Sequence, residues 1–179
     1  SVHIRNGLNL GYLEQEPSFD DSLTIQELID GSHTELLAVI RKYEAALEAQ
    51  AEDYNDKTHK AIEQASEEME RADAWDYERR LVELLSKFNI VDLDQKIGSL
   101  SGGEKKRLAM ALALLDNPDL LIIDEPTNHL DVEMIEWLEK YLSQSNITLL
   151  MVTHDRYFLD RICNHILELN DGKLYHHKG

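Results

Sequence analysis

Apolar residues of the chain form three short runs, and elsewhere they recur at helical spacing. The runs at residues 8–13, 120–123 and 147–152 predict strands, and the last two have the continuous hydrophobicity of strands buried in a parallel sheet. Because strands alternate with helices, the fold class is α/β with a mostly parallel sheet, followed by a hairpin. Helix ends and amphipathic spacing predict helices at residues 22–30, about 75–88, 102–115, 132–143 and 156–163.

Residues 33–90 form a different region, because they contain neither Gly nor Pro and are rich in strong helix formers. Two amphipathic stripes flank the polar residues 55–60, which predicts two antiparallel helices joined by a turn there. The stripes consist of Leu36, Ile40, Tyr43 and Leu47, and of Ile62, Ala65, Met69 and Ala72. This helical hairpin either packs on itself as a plain structural element or projects as an arm that contacts a partner.

The composition adds a strong acidic charge to this picture. The 35 Asp and Glu residues against 18 Lys and Arg give a formal net charge of −17, spread evenly along the 179 residues. A broad nucleic-acid surface is therefore excluded, since it needs a concentrated basic face. Any RNA contact would be local, and the predicted turn at residues 55–60 offers Lys57, His59 and Lys60 for it.

The sequence also bears on location. No apolar run approaches the ~20 residues of a membrane span, and the opening residues lack the apolar segment of a signal peptide. The single cysteine, Cys163, allows no internal disulfide, which fits a reducing compartment. We therefore expect a cytoplasmic protein without membrane insertion.

Polar residues directly follow both hydrophobic runs in the second half of the chain. Asp124 and Glu125 follow the run at 120–123, and His154 follows the next run shortly after its end. Ligands of parallel α/β sheets bind beyond the carboxyl ends of the strands. There one carboxylate beside phosphates can hold Mg²⁺, and the next can orient or deprotonate a water. Taken alone, the pattern equally fits an ordinary buried strand that ends in Asp.

The segment Ser101-Gly102-Gly103-Glu104 stands at the predicted start of a helix. Ser followed three residues later by Glu is a capping box, which satisfies free amides at a helix start. The same amides, with two glycines that let a ligand approach, also suit an anion. The two interpretations are compatible, and both stay open at this point.

Four motifs occur in a fixed order along the chain. They are Gln15, residues 100–107 (LSGGEKKR), residues 120–131 (LLIIDEPTNHLD) and residues 153–155 (THD). Together they resemble the ATP-binding cassette family from about residue 8 onward, and the two central motifs have the family's separation. The resemblance implies an ABC-type nucleotide-binding domain that binds and hydrolyses ATP with Mg²⁺.

The resemblance also implies roles for individual residues. Gln15 is similar to the Q-loop glutamine, which senses Mg²⁺ and the γ-phosphate, and Asp124 to the Walker B aspartate, which holds the metal. Glu125 is similar to the catalytic glutamate, and His154 to the switch histidine. The signature and D-loop residues, which would face ATP held by a partner cassette, are Ser101, Gly102, Gly103 and Asp131.

Within the family, residues 125–131 (EPTNHLD) resemble the ABC-F branch, close to the Uup-like group. Proteins of this branch hold two cassettes in one chain, lack a membrane domain and in many cases act on the ribosome. They insert an arm into the first cassette, where this chain has its helical hairpin. The resemblance implies a second cassette as partner and a contact of the arm tip, near Lys57 and Lys60, with the ribosome or tRNA.

The resemblance divides the chain into three regions. Residues 1–32 would hold a sheet strand and the Q-loop, residues 33–90 a helical subdomain with the arm, and residues 91–179 the remaining ATPase motifs. Two other functions stay open. One is the ATP-binding subunit of a membrane ABC transporter, which the EPTNHLD motif and the long hairpin disfavour. The other is a non-enzymatic helical interaction module.

One family motif does not occur in the 179 residues, namely the P-loop Gly-x-x-x-x-Gly-Lys-[Ser/Thr]. The nearest sequence, at residues 98–105, has Glu104 in place of the lysine. Residues 1–5 resemble the strand region between P-loop and Q-loop, so we expect an incomplete cassette. Alone, it should bind ATP poorly and not hydrolyse it, and its unpaired strand edges should favour dimerisation.

Overall fold

The computed structural model describes residues 8–178 and arranges them as an α/β structure, which confirms the predicted fold class. The strand region predicted at residues 1–5 lies outside the described residues. In chain order the helices and strands are β1 (Leu10–Leu13), α1 (Ile25–Ser32), α2 (Thr34–Glu52), α3 (Asp56–Arg71), α4 (Tyr77–Lys87), a 3₁₀ turn (Ile97–Ser99), α5 (Gly102–Leu115), β2 (Leu120–Asp124), α6 (Val132–Gln144), β3 (Thr148–Val152), α7 (Arg156–Ile162), β4 (His165–Asn170) and β5 (Lys173–Lys178).

The described residues divide into two compact units. The sheet unit consists of residues 8–19, 84–90 and 100–178, and the helical unit consists of residues 20–83 and 91–99. Each unit contains its own buried apolar side chains.

A three-stranded parallel sheet organises the sheet unit. Its strand order is β1-β2-β3, with Leu13 beside Ile123 and Ile123 beside Met151. β2 is the central strand, and its residues Leu121 and Ile123 are almost fully buried. Other fully buried side chains of this unit include Leu13, Phe88, Leu108, Leu114, Leu138 and Phe158.

The prediction that β3 is a buried strand is wrong. Alternate residues of β3 are exposed, among them Leu150 and Val152, while Leu149 and Met151 are half-buried. β3 is an edge strand of the described sheet, and no described element covers the face that carries Leu150. A hydrophobic run therefore identified the strand but not its burial, because burial depends on what packs against each face.

The antiparallel hairpin predicted at the end of the chain is confirmed, and its second strand extends to Lys178. Asp171 and Gly172 both have positive φ, 49° and 73°, as two-residue hairpin turns require. Leu169 and Leu174 face each other across the two strands and are both largely exposed.

The helical unit contains the predicted hairpin, formed by α2 and α3. The pairs Lys42–Glu68 and Gln50–His59 link the two helices in an antiparallel arrangement. Ala46, rather than the predicted Leu47, lies on the buried face of α2, because Ile40, Tyr43 and Ala46 share one side of the helix. The spacing of apolar residues along the sequence predicted the larger residue, Leu47, on this face.

The turn of this hairpin is shorter than the sequence predicts. α2 ends at Glu52 and α3 already begins at Asp56, so Lys57, His59 and Lys60 lie on the first turns of α3 rather than in a loop. Asn55 starts the helix, since its Oδ1 accepts hydrogen bonds from the backbone N–H of Lys57 and of Thr58 at 2.9 and 3.0 Å.

Candidate functional site

Three strands of the sheet unit end at the same edge. Because β1, β2 and β3 are parallel and in register at Leu13, Ile123 and Met151, the residues that follow them lie along one edge of the sheet. The motif residues Gln15, Asp124, Glu125, Thr153 and His154 occupy these positions.

Glu125 is fixed through both its backbone and its side chain. Its N–H donates to the carbonyl of Val152 at 2.8 Å, which continues the β2–β3 pairing past the end of β2. Its φ of 49° lies in the left-handed region, which is costly for a residue with a side chain. The carboxylate accepts hydrogen bonds from Thr153 Oγ1 at 3.1 Å and from His154 Nδ1 at 2.8 Å.

The Glu125–His154 pair has an uneven exposure to solvent. The Glu125 side chain is 16% exposed, whereas the His154 side chain is 80% exposed. The hydrogen bond to Glu125, followed by the attraction of its carboxylate, raises the pKa of His154 above the ordinary value. His154 therefore lies between solvent and a carboxylate that is itself shielded.

Lys106 completes this group of residues, and sequence reasoning missed it. The residue is only 5% exposed, and its Nζ donates to the backbone carbonyl of Glu125 at 2.9 Å. Burial lowers the pKa of Lys106, and the attraction of Asp124 and Glu125 opposes that effect. The available signal was its position on α5 four residues before the buried Met110, which places both residues on the same face of the helix.

Asp124 is the residue best suited to a metal ion. Among residues 8–178, no side chain hydrogen-bonds to its carboxylate. The same described residues contain no group of three or more His, Cys, Asp or Glu side chains that could hold a metal by themselves. This donor set fits Mg²⁺, which proteins bind through one or two carboxylates together with substrate phosphates.

The segment 101–104 forms the capping box that its sequence predicts. Ser101 Oγ donates to the Glu104 carboxylate at 2.6 Å and accepts from the Glu104 N–H at 3.3 Å, so it starts α5. The hydrogen bonds to Ser101 hold the pKa of the Glu104 carboxyl below its usual range. A Cβ added to Gly102 would meet open space, whereas one added to Gly103 would lie 3.4 Å from His129 Cβ.

Asp131 caps a helix. Its Oδ1 accepts the backbone N–H of Met134 at 2.9 Å and so caps α6. The structure thus brings Glu125 and His154 into direct contact and sets Gln15 and Asp124 at the same sheet edge. The other predicted site residues, Ser101, Gly102, Gly103 and Asp131, lie at the N-termini of α5 and α6.

None of the helices within residues 8–178 combines the length and the apolar character that crossing a membrane requires.

Comparisons with known proteins identify a family for the chain. Residues 3–128 match the ABC transporter family. The chain is 36% identical over 98% of its length to the energy-dependent translational throttle protein EttA of Mycobacterium tuberculosis, and 43% identical over 94% to the uncharacterized ABC transporter ATP-binding protein YfmR of Bacillus subtilis. It spans 32% and 27% of the lengths of these curated relatives.

Solved structures show the same fold. The ATP-binding subunit of an ABC transporter superposes with a TM-score of 0.62 at 22% identity, over 95% of this chain and 59% of the other. The family match over most of the chain, the motif order and this fold lead to one conclusion: the chain belongs to the ABC transporter family of ATP-binding cassette proteins, in the ABC-F branch that its motifs predicted.

Proposed function

We propose that this chain is the catalytic and arm part of a cytoplasmic ABC-F protein that hydrolyses ATP and acts on the ribosome. The observation that carries the proposal is the Glu125 carboxylate, which is held beyond the end of β2 by Thr153 and His154. A relative whose name describes a translational throttle supports the part that concerns the ribosome.

The proposed chemistry assigns Glu125 as the general base. Its two oxygens accept one hydrogen bond each from the protein, and a carboxylate has further lone pairs that can accept a proton from a water. The shielded position of Glu125 keeps it aligned, and the exposed His154 imidazole can contact an anionic ligand. When bound, Mg²⁺ supplies charge neutralisation to the phosphates.

The remaining predicted residues would bind rather than react. Asp124, with Gln15 nearby at the same sheet edge, would hold the metal. Ser101, Gly102, Gly103 and Asp131 would face the nucleotide of a second cassette, since the amides at the start of α5 suit a phosphate group. The open space beside Gly102 is compatible with such an approach.

No P-loop sequence occurs within the 179 residues. The backbone amides and the lysine that cradle ATP phosphates in P-loop proteins would therefore come from another part of the polypeptide. For this reason we propose that the 179-residue chain alone binds ATP weakly and does not turn it over. Isothermal titration with ATP and Mg²⁺ tests this, and micromolar affinity of the isolated chain would contradict it.

The central experiment measures ATP hydrolysis by the full-length protein and by its Glu125→Gln variant. Glutamine keeps the size of the side chain but cannot take a proton, so turnover should fall about 100-fold or more while ATP still binds. Glu136→Gln, on the exposed part of α6, is the matched control and should leave turnover unchanged. Normal turnover of the Glu125→Gln variant would refute the assignment of the base.

The arm tip is the proposed ribosome contact. Lys57 and Lys60 are exposed on the first turns of α3, next to a helix start that is rigidly capped by Asn55. Reversing both lysines to Glu should weaken sedimentation with ribosomes, and reversal of the exposed Lys140 on α6 serves as the control. Unchanged sedimentation would remove the tip from the proposal.

Recovery of the native protein with membranes instead of ribosomes would favour a transporter subunit.

Self-association of the 179-residue chain is a further part of the proposal. β1 and β3 are the edges of the described sheet, and exposed Leu150 and Val152 lie on β3. Such an edge can pair with another strand. Light scattering at increasing concentration should show dimers, and a constant monomeric mass would contradict this.

A further inference from the structure

Lys106 is a buried cation that the proposed reaction does not use. Its Nζ contacts the Glu125 backbone carbonyl at 2.9 Å, and the residue is 5% exposed. We propose that Lys106 is a positioning residue, whose ammonium holds the Glu125 turn so that the carboxylate keeps its place beside His154 and Thr153. This inference rests on the proposed function, because it assigns Lys106 a role through the general base.

Packing alone does not account for a lysine at this position. The other buried residues of α5 are all apolar, namely Leu108, Met110, Ala111, Leu114 and Leu115. A methionine would fill similar space without the cost of burying a charge. Within residues 8–178, the Lys106 ammonium hydrogen-bonds to a backbone carbonyl and not to a carboxylate. Because the donor is charged, this hydrogen bond is stronger than one from a neutral donor would be.

The backbone conformation of Glu125 depends on the hydrogen bonds that surround it. Its φ of 49° is unfavourable for a non-glycine residue, so the surrounding contacts must maintain it. The N–H of Glu125 is fixed by Val152, and its carbonyl accepts from Lys106 and, at 3.3 Å, from the N–H of Asn128. Loss of the stronger carbonyl contact would loosen the residue that carries the proposed base.

The same contact joins two motifs. Lys106 lies on α5, one turn after the Ser101 cap and the glycines of the segment 101–104. Through Lys106, the helix that begins with this segment is tied to the turn at Glu125. Because this contact is to the backbone of Glu125, the positioning role requires no contact from Lys106 to a substrate.

The test compares Lys106→Met and Lys106→Arg in the full-length protein. A positioning role predicts that Lys106→Met lowers kcat at least 10-fold and leaves KM for ATP within twofold, while Lys106→Arg, which retains a cationic donor, restores most of kcat. Lys140→Met, at an exposed lysine of α6, is the matched control and should behave as the wild type. An unchanged kcat, or a loss expressed only in KM, would overturn the proposal.

Coupling to Glu125 is tested by combining substitutions. In the Glu125→Gln background, Lys106→Met should change the residual turnover less than twofold, because the group it positions is already lost. Multiplicative losses would show that Lys106 acts elsewhere and overturn the proposal. If Lys106→Met does not fold, Lys106→Gln is measured in the same way, and the same limits decide.

A second readout does not depend on hydrolysis. In the full-length protein, the carbonyl ¹³C resonance of Glu125 should shift in Lys106→Met and return toward its position in Lys106→Arg, because it reports the hydrogen bond directly. An unshifted resonance would overturn the inference. A full-length wild type without ATPase activity would refute the proposed function instead, so the two failures are distinguishable.

Discussion

The side chain of Asn55 caps α3 at the arm tip, and removing this cap should have a measurable effect on the first turn of the helix. In Asn55→Ala the backbone N–H groups of Lys57 and Thr58 lose their acceptor. Asn55 Nδ2 also no longer donates to the Asp53 carboxylate, a contact of 2.8 Å. The reciprocal hydrogen bond from the Asn55 N–H to Thr58 Oγ1, at 3.0 Å, needs no side chain at residue 55 and survives.

The size of the effect follows from these contacts. Loss of an Asn cap costs ~1 kcal/mol, and the partial exposure of the site lets water replace some of the lost hydrogen bonds. A change of ~1 kcal/mol corresponds to about a fivefold change in an equilibrium constant. Opening of the first turn of α3 should therefore become about fivefold more frequent.

Amide hydrogen exchange of the chain, followed by NMR, measures this opening residue by residue. The amides of residues 57–60 should exchange about fivefold faster in Asn55→Ala, while amides in the middle of α5, in the other unit, stay unchanged. Asn55→Ser is the control, because serine caps about as well as asparagine and should keep exchange near the wild-type rate. Equal exchange at residues 57–60 in Asn55→Ala and wild type would refute the assigned cap.

The remaining predictions concern the sheet unit. Leu121→Ala should lower the free energy of unfolding by ~3 kcal/mol, because Leu121 is fully buried, whereas Leu150→Ala on the exposed face of β3 should cost less than ~1 kcal/mol; urea denaturation of the chain measures both. Glu125→Gln should lower the pKa of His154 toward its ordinary value, because the carboxylate raises it, and NMR titration of the imidazole follows this change. The stabilisation that comes from this pair is present in full below the unfolded-state pKa of ~6.5 and is lost as pH rises through the raised pKa, so the stability difference between wild type and Glu125→Gln should shrink with rising pH. A difference that grows with pH would contradict the pairing.

The secondary structure and the parallel direction of the sheet strands were largely predictable from the sequence, whereas burial was not. The hydrophobic run of β2 and the Asn170-Asp171-Gly172 turn each specify a local structure, and both form as predicted. The exposure of Leu150 depends on what covers a sheet face, which one segment does not encode. The start of α3 at Asp56 depends on which of several adjacent polar residues provides the cap, and Asn55 does so through its side chain.

The candidate site was predictable where its residues belong to ordered motifs. The strand-end positions of Glu125 and His154 followed from the ends of two hydrophobic runs, and the structure joins them at 2.8 Å. Lys106 was not predictable in the same way, since a lysine on a helix ordinarily belongs to a solvated face. Its burial results from the packing of α5 onto the turn at Glu125, which is a tertiary relationship.

Gly103 changes how substitutions in the segment 101–104 must be interpreted. A Cβ at residue 103 would lie 3.4 Å from His129 Cβ, which is ordinary van der Waals contact with a residue whose own φ of 67° is in the left-handed region. A loss of activity in Gly103→Ala would then combine the new contact with His129 with any effect on the ligand. Gly102→Ala has open space around it, so it isolates the ligand contribution and is the cleaner probe of nucleotide binding at α5.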